Sequence, residues 1–131
     1  LRQIVRRVAG VCRHGTSIVF MEKRGIVTEI DNRLSRYRRA FKVKPFSLAE
    51  AAEEVLQGIT AIDGAIFADM NGDCHAIGVI VDGQMVVEGD YGRGARYNSI
   101  KNYITGYKVS HPKDICLAVV VSEDGMINVI L

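Results

Sequence analysis

One stretch of sequence decides the fold: it begins Asp63-Gly64-Ala65-Ile66-Phe67-Ala68-Asp69 and runs on to Asn98. Two tight turns interrupt it, Met70-Asn71-Gly72-Asp73 and Val81-Asp82-Gly83-Gln84. Asn-Gly and Asp-Gly pairs between apolar runs are strong hairpin signals, because these residues accept a positive φ. The stretch therefore predicts a meander of three antiparallel strands, over residues 64–68, 74–81 and 85–88.

The far end of this stretch is a loop rich in glycine and arginine, Gly92-Arg93-Gly94-Ala95-Arg96. If the hairpins fold back on themselves, Asp63 lies beside this loop. A carboxylate can hold a divalent metal together with substrate phosphates, and a guanidinium group binds phosphate oxygens in pairs. Glycines let the backbone approach a ligand closely. The pattern predicts a nucleotide site, although Gly92-Arg93-Gly94 lacks the full dinucleotide or P-loop pattern.

These residues also have plain structural interpretations. Asp63 can simply shape the turn beside Gly64, and Arg93 and Arg96 can be exposed loop arginines. From chemistry alone, both interpretations stay open for each residue.

Four further residues carry chemistry but weaker signals. Ser122 and Glu123 end a predicted strand on the same side as the predicted site, and they are either ligand contacts or residues of an ordinary turn. His75 and His111 have no partner at metal-ligand spacing and no nucleophile beside them. We predict structural or surface positions for both histidines.

Helical periodicity marks three segments. Apolar residues recur at helical spacing over residues 1–14, over a segment that begins at Ser47, and over residues 98–107. Ser47 and Glu50 fit a capping box, and Gly58 marks the predicted end of that helix. The third helix follows the glycine-rich loop directly, so its free amides and positive pole favour phosphate.

The remaining apolar runs predict strands. We expect buried strands over residues 17–21, 114–121 and 126–131, with a turn over residues 22–25. Residues 26–44 have a mixed pattern and predict no definite element. The order of elements predicts an α/β fold, with a mixed, largely antiparallel central sheet flanked by helices.

Length and composition predict a single domain over residues 1–131. The hydrophobic content of 48% and charged content of 24% are typical of a globular protein with a real core. The sequence starts at Leu1 without a methionine, so we expect a domain of a longer protein with fused domains outside it. Leu1 to Gly15 is too rich in arginine for a signal peptide, and no apolar run has the length of a membrane span.

The three cysteines are scattered singly, at Cys12, Cys74 and Cys116. An odd count without paired spacing argues against a disulfide framework or a zinc site. Cys12 and Cys116 lie in apolar runs and are predicted core residues. Unpaired cysteines fit a reducing compartment, so we expect a cytoplasmic protein.

A basic cluster offers an alternative function. It is interleaved with Tyr37 and Phe41 and consists of Arg33, Arg36, Arg38, Arg39, Lys42 and Lys44. Basic residues between aromatics can bind nucleic acid. A solvated face next to acidic residues such as Glu29 and Asp31 is the interpretation we favour, because a net charge of +2 is small. We expect no nucleic-acid partner.

The motifs resemble those of a known family. Asp63-Gly64-Ala65, Gly72 and the run Ala76-Ile77-Gly78-Val79-Ile80-Val81-Asp82-Gly83 resemble the nucleotide-binding domain of diadenylate cyclases, the domain at the N-terminus of the DNA-integrity scanning protein. Arg13-His14-Gly15-Thr16-Ser17-Ile18-Val19-Phe20 and Val120-Val121-Ser122-Glu123 fit the same pattern.

The resemblance implies an activity and a site. The family joins two ATP molecules into cyclic di-AMP, using two domains face to face and a divalent metal, Mg²⁺ or Mn²⁺. Its Asp-Gly-Ala motif is implied to bind the metal and to activate the ribose hydroxyl. Those roles would fall on Asp63, Gly64 and Ala65.

The second family motif is altered in this chain. The family binds phosphates with Arg-His-Arg, and the matching residues here are Arg96, Tyr97 and Asn98. Loss of a guanidinium removes positive charge where a transition state needs it. Arg93 or Lys101 could compensate. Two hypotheses follow: a degenerate sensor of ATP or a cyclic nucleotide within a larger signalling protein, or a divergent active cyclase.

Overall fold

The computed structural model describes residues 1–36, 40–81 and 94–131. Within these ranges the chain forms four helices and six strands. The elements in chain order are α1 (Arg2–Val11), β1 (Thr16–Met21), α2 (Lys23–Arg36), β2 (Phe41–Ser47), α3 (Glu53–Thr60), β3 (Ala65–Asp69), β4 (Asp73–Val79), α4 (Gly94–Ser110), β5 (Cys116–Val121) and β6 (Ile127–Ile130).

The strands of the described residues form one sheet in the order β2-β4-β3-β1-β5-β6. β1 and β3 pair in parallel, with Ile18 opposite Ile66, and the other neighbouring strands pair antiparallel. The predicted class, a mixed and largely antiparallel sheet flanked by helices, is confirmed.

The sheet has a hydrophobic core on each face. Because side chains alternate along a strand, β1 contributes Val19 and Met21 to one core and Ile18 and Phe20 to the other. The first core includes side chains of α2 and α4, and the second includes side chains of α1 and α3. All six residues of β1 are buried, which fits a central strand covered on both sides.

Several local predictions are confirmed. The first helix and the strands around Ser17, Cys116 and Ile127 are present, and Asn71-Gly72 turns the chain between β3 and β4. Gly72 has a φ of 87°, which that turn requires. The second predicted turn, at Asp82-Gly83, and the strand over residues 85–88 lie outside the described residues.

Two local predictions are wrong, and one segment without a predicted element proves to be structured. Ser47 ends strand β2 and starts no helix, and α3 begins only at Glu53 and continues past Gly58 to Thr60. The predicted turn over residues 22–25 is instead the start of α2. The segment over residues 26–44, for which no element was predicted, supplies most of α2 and the start of β2.

The cysteines are all free thiols. Cys74 and Cys116 are buried, and burial raises the pKa of both thiols to about 12, so they stay protonated and pack as small apolar groups. Cys12 is half-buried and packs against the core beneath α1. Among the described helices, none combines the length and the apolar content needed to cross a membrane.

Candidate functional site

A cavity of about 350 Å³ lies between one end of the sheet and the first turns of α4. This volume falls in the range of small-molecule pockets. Asp63, Gly64 and Ala65 line it from the start of β3, and Arg96 lines it from α4. The two ends of the stretch from Asp63 to Asn98 therefore meet in one cavity. Its other lining residues are Ser17, Val79, Ile80, Val81, Ala95, Ser99 and Ile100.

Gly64 lets the backbone next to Asp63 pass close to the backbone of β4. Its φ is 108°, a conformation that L side chains rarely adopt. A Cβ atom at this position would stand 2.6 Å from the carbonyl carbon of Gly78 and 2.8 Å from the backbone nitrogen of Val79. The chain thus passes directly against the backbone of β4, and it enters β3 at the buried Ala65 with Asp63 exposed at the mouth.

The guanidinium group of Arg96 is held against the loop between α1 and β1. Its Nη2 atom donates a hydrogen bond to the His14 carbonyl oxygen, at 3.4 Å. Its Nη1 atom lies 2.6 Å from the place where a Cβ atom on Gly15 would stand. Gly15 has a φ of 76° and is also tight against the Val121 carbonyl. Sequence patterns do not reveal this positioning role of Gly15, because the contact joins two segments that are far apart in the chain.

A smaller hollow of about 140 Å³ shares part of this lining. Asp63, Gly64 and Arg96 border both spaces. Its remaining lining residues are His14, Gly15, Thr16, Thr60, Ala61 and Ile62. Arg96 therefore lies at the junction of the two spaces.

The larger cavity has a charged mouth and an apolar interior. Asp63 and Arg96 are exposed, whereas Ala65, Val79 and Ile100 are almost fully buried. Sequence patterns could not identify most of these interior residues, because their only local signal is the apolar periodicity of a strand or helix. Ile100 belongs to the apolar face of the helix predicted over residues 98–107, but its position at the cavity depends on how α4 packs on the sheet.

The two altered motif positions, Tyr97 and Asn98, are not part of the described cavity lining. Among the residues described, Ala95, Arg96, Ser99 and Ile100 are the part of α4 that lines it. Tyr97 is half-buried and packs against the core shared with α2, and the Lys101 ammonium lies 5.9 Å from the centre of its ring.

The other residues predicted for this loop are placed as follows. Gly94 begins α4 with a φ of 82° and is exposed. Asn98 is half-buried on the same helix and is not part of the described cavity lining. Gly92 and Arg93 lie outside the described residues.

Ser122 and Glu123 lie in the turn between β5 and β6. The Ser122 hydroxyl contacts the Asp124 carboxylate and accepts a hydrogen bond from the Met126 amide at 3.0 Å. That turn adjoins the loop of Gly15, since the Ser122 carbonyl carbon would lie 3.1 Å from a Cβ atom there. Neither Ser122 nor Glu123 is among the described residues that line the two spaces.

The donor set at the cavity suits a metal shared with a substrate. Within residues 1–36, 40–81 and 94–131, no group of three or more His, Cys, Asp or Glu side chains converges on one point. Asp63 is the one carboxylate in the described lining. Mg²⁺ is commonly bound by one or two carboxylates together with waters and substrate phosphates. Asp63 fits that mode and does not fit a cage made only of protein ligands.

The opposite end of the β3–β4 hairpin carries a buried pair of hydrogen-bonded side chains, Asp69 and His75. His75 Nε2 lies 2.8 Å from the Oδ2 atom of Asp69, and both residues are less than 10% exposed. Oδ1 of Asp69 accepts hydrogen bonds from the amides of Asn71 and Asp73. Burial alone would raise the pKa of Asp69, but the hydrogen bond with His75, together with those from the Asp73 and Asn71 amides, outweighs burial and lowers it. His75 is thus structural, as predicted.

The basic cluster is described only in part. The Lys42 ammonium lies 3.6 Å from the Asp31 carboxylate, and both side chains are exposed. This pair fits the interpretation as a solvated face next to acidic residues. The side chains of Arg33, Arg36, Arg38 and Arg39 lie outside the described part of the chain.

The chain has a diadenylate-cyclase-like fold. It is similar to the crystal structure of a double mutant of DacA from Staphylococcus aureus, a diadenylate cyclase. The TM-score is 0.57 at 18% sequence identity, and the match covers 99% of this chain and 79% of the DacA chain. No family model matches the sequence, and no curated protein matches it. The similarity is therefore one of fold.

Proposed function

We propose that this chain is an adenine-nucleotide-binding domain of the diadenylate cyclase type. In this proposal it senses ATP or a cyclic dinucleotide within a larger cytoplasmic signalling protein. One observation carries the proposal: two segments that are far apart in sequence, Asp63-Gly64-Ala65 and the one that contains Arg96, line one cavity of about 350 Å³.

The charges at the mouth suit the phosphate end of a nucleotide. Arg96 is exposed there and supplies a guanidinium that can bind phosphate oxygens in pairs. The cavity also lies at the first turns of α4, a helix of 17 residues whose free amides carry partial positive charge. The His14 carbonyl and the space left by Gly15 hold the guanidinium in place before ligand arrives.

The altered motif favours a sensor over an enzyme. Of the three residues that match Arg-His-Arg, only Arg96 belongs to the described lining of the cavity. One guanidinium can bind a phosphate group in its ground state. Phosphoryl transfer needs additional positive charge aimed at the charge that develops in the transition state. Binding without turnover is therefore the function that these residues support best.

An active cyclase is the second candidate, and Asp63 is the observation that favours it. Its carboxylate is exposed at the mouth of the cavity, where it could hold Mg²⁺ or Mn²⁺ together with the phosphates. Such a metal, when bound, would stabilise phosphate charge and lower the pKa of an attacking hydroxyl. Joining two ATP molecules would also require a second copy of the domain to pair face to face with the first.

Incubation of the purified protein with ATP and Mn²⁺, followed by chromatography for cyclic di-AMP, separates these candidates. The sensor proposal predicts ATP binding with no product. Product that disappears in Asp63→Asn but persists in Asp31→Asn would establish the cyclase and contradict the sensor. Asp31 is a suitable control because it is an exposed carboxylate of α2, paired with Lys42.

A further inference from the structure

Among the described residues at the buried end of the larger cavity, one has a polar side chain that the proposed phosphate site does not use. Ser17 of β1 lines the cavity and is only 3% exposed. Its hydroxyl forms no side-chain hydrogen bond with any residue in the described ranges. Ser17 is therefore a buried donor and acceptor that faces an open space.

A buried hydroxyl of this kind is unusual. The large majority of buried side-chain polar atoms in folded proteins have a hydrogen-bond partner, since a group removed from water without one is unfavourable. The unpaired hydroxyl of Ser17 at the wall of a ligand-sized cavity is explained if a ligand supplies the missing hydrogen-bond partner. A serine hydroxyl can both donate and accept, so it can bond several kinds of polar edge.

The surroundings of Ser17 indicate which part of a nucleotide reaches it. Its neighbours at the inner end of the cavity are apolar and almost fully buried, namely Ala65, Val79 and Ile100. Asp63 and Arg96 lie at the exposed mouth. A nucleotide bound with its phosphates at Arg96 would place its flat, largely apolar base at the inner end.

We infer that Ser17 is a specificity-determining residue whose hydroxyl hydrogen-bonds the polar edge of the nucleobase. This inference rests on the proposed nucleotide-binding function and deepens it. The cavity binds the base mainly through apolar contact, and Ser17 is the point at which the polar pattern of the base is recognised. Inorganic polyphosphate, which has no base, does not reach Ser17.

The chain provides a matched control at the preceding residue. Thr16 is also 3% exposed and also lacks a side-chain hydrogen bond with the described residues. Because side chains alternate along β1, Thr16 borders the smaller hollow and not the larger cavity. Thr16→Val keeps the shape of the side chain and removes its hydroxyl.

The test is calorimetric titration of the intact protein with ATP and, separately, with inorganic tripolyphosphate. Ser17→Ala should weaken ATP binding roughly threefold to tenfold, the effect of one neutral hydrogen bond. Its affinity for tripolyphosphate should not change. Its ligand-free Tm should equal or exceed that of the wild type, because an unpaired buried hydroxyl has been removed. Thr16→Val should keep the wild-type affinity for ATP.

Ser17→Cys is the second variant, since it keeps the volume and substitutes a weakly bonding thiol. Equal losses for ATP and tripolyphosphate, no loss for ATP, or a loss in Thr16→Val instead would overturn the inference. So would loss of the cooperative thermal transition in both Ser17 variants, which would indicate a structural role. Wild-type protein that binds neither ligand would contradict the proposed function itself, whereas wild-type binding with an unchanged Ser17→Ala contradicts only the inference.

Discussion

The Nη1 atom of Arg96 lies 2.6 Å from the point where a Cβ atom on Gly15 would stand. The two residues are 81 positions apart in sequence. The absence of a side chain at Gly15 leaves the space that the guanidinium group of Arg96 occupies. The same absence lets the chain approach the Val121 carbonyl of β5, also at 2.6 Å from that point. The loop between α1 and β1 thus positions the guanidinium group of Arg96 at the proposed phosphate site.

Gly15→Ala should therefore impair both stability and ligand binding. Its φ of 76° is unfavourable for alanine, and the added methyl group would clash with backbone as well as with Arg96. We expect a loss of about 2 kcal/mol or more in the free energy of unfolding, together with weaker ATP binding. Urea denaturation and calorimetry measure the two effects.

Gly10→Ala is the control for that substitution. Gly10 lies inside α1 and has no atom within 4 Å of its notional Cβ. Alanine there should stabilise the protein by about 0.5–1 kcal/mol, because glycine is unfavourable within a helix. Equal effects of the two substitutions would contradict the role assigned to Gly15.

Arg7 connects α1 to the turn between β2 and α3. Its guanidinium donates to the carbonyl oxygens of Leu48, Ala49 and Ala51, at 2.6, 2.7 and 2.6 Å. Arg7→Ala should lower the free energy of unfolding by roughly 2 kcal/mol, because a charged group donates all three hydrogen bonds and two of them are partly buried. Arg6→Ala, one position earlier and exposed, should change it by less than about 0.5 kcal/mol in the same urea titration.

This arrangement also explains why the capping box at Ser47 failed as a helix signal. The Ser47 hydroxyl does accept a hydrogen bond from the Glu50 amide, at 3.3 Å. The pairing of Phe46 and Ser47 with β4 keeps the chain extended up to that point. Arg7 then binds the carbonyl groups that a helix starting there would need. Two contacts that are remote in sequence outweigh a correct local motif.

The turn predicted over residues 22–25 is wrong for a similar reason. A glycine near charged residues predicts a turn, but here it lies in α2 and permits close helix packing. A Cβ atom on Gly25 would stand 2.8 Å from the hydroxyl of Tyr107 on α4. Glycines that serve a turn, such as Gly72, have local sequence signals. Glycines that serve a close approach do not, because the partner is distant in sequence.

The residues of the candidate site also differ in whether the sequence alone could identify them. Asp63, Gly64 and Arg96 could be proposed from the sequence, since charged and glycine-rich motifs are visible locally. Ser17 could not, because its place in the cavity depends on the parallel pairing of β1 with β3 and on the path of α4. These relationships between distant segments have no signature in a single sequence.

The buried Asp69–His75 pair predicts a pH dependence of stability. The pKa of Asp69 is lower in the folded protein than its ordinary value of 3.8. The stabilisation from its ionised form is therefore complete above pH 3.8 and is lost as the pH falls through the folded-state pKa. Asp69→Asn should flatten the decline in the free energy of unfolding below about pH 4.

Urea denaturation from pH 2 to pH 6 measures this effect. Asp31→Asn serves as the control, since the exposed Asp31–Lys42 pair contributes little to stability. If wild-type protein and Asp69→Asn lose stability in parallel over the acid range, the Asp69 carboxylate is not the group responsible.

The most direct test of nucleotide binding at this cavity is calorimetric titration of ATP into wild-type protein, Arg96→Ala and Arg2→Ala. Both substitutions remove one exposed arginine, but Arg2 lies in the first turn of α1. Ile4 of the same turn lies close to Gly72, at the end of β3 opposite the cavity. We predict ATP binding that Arg96→Ala weakens roughly tenfold to hundredfold, as expected for loss of a charge-assisted hydrogen bond, and that Arg2→Ala leaves unchanged. No ATP binding by the wild type, or equal losses in the two variants, would contradict a nucleotide site at this cavity.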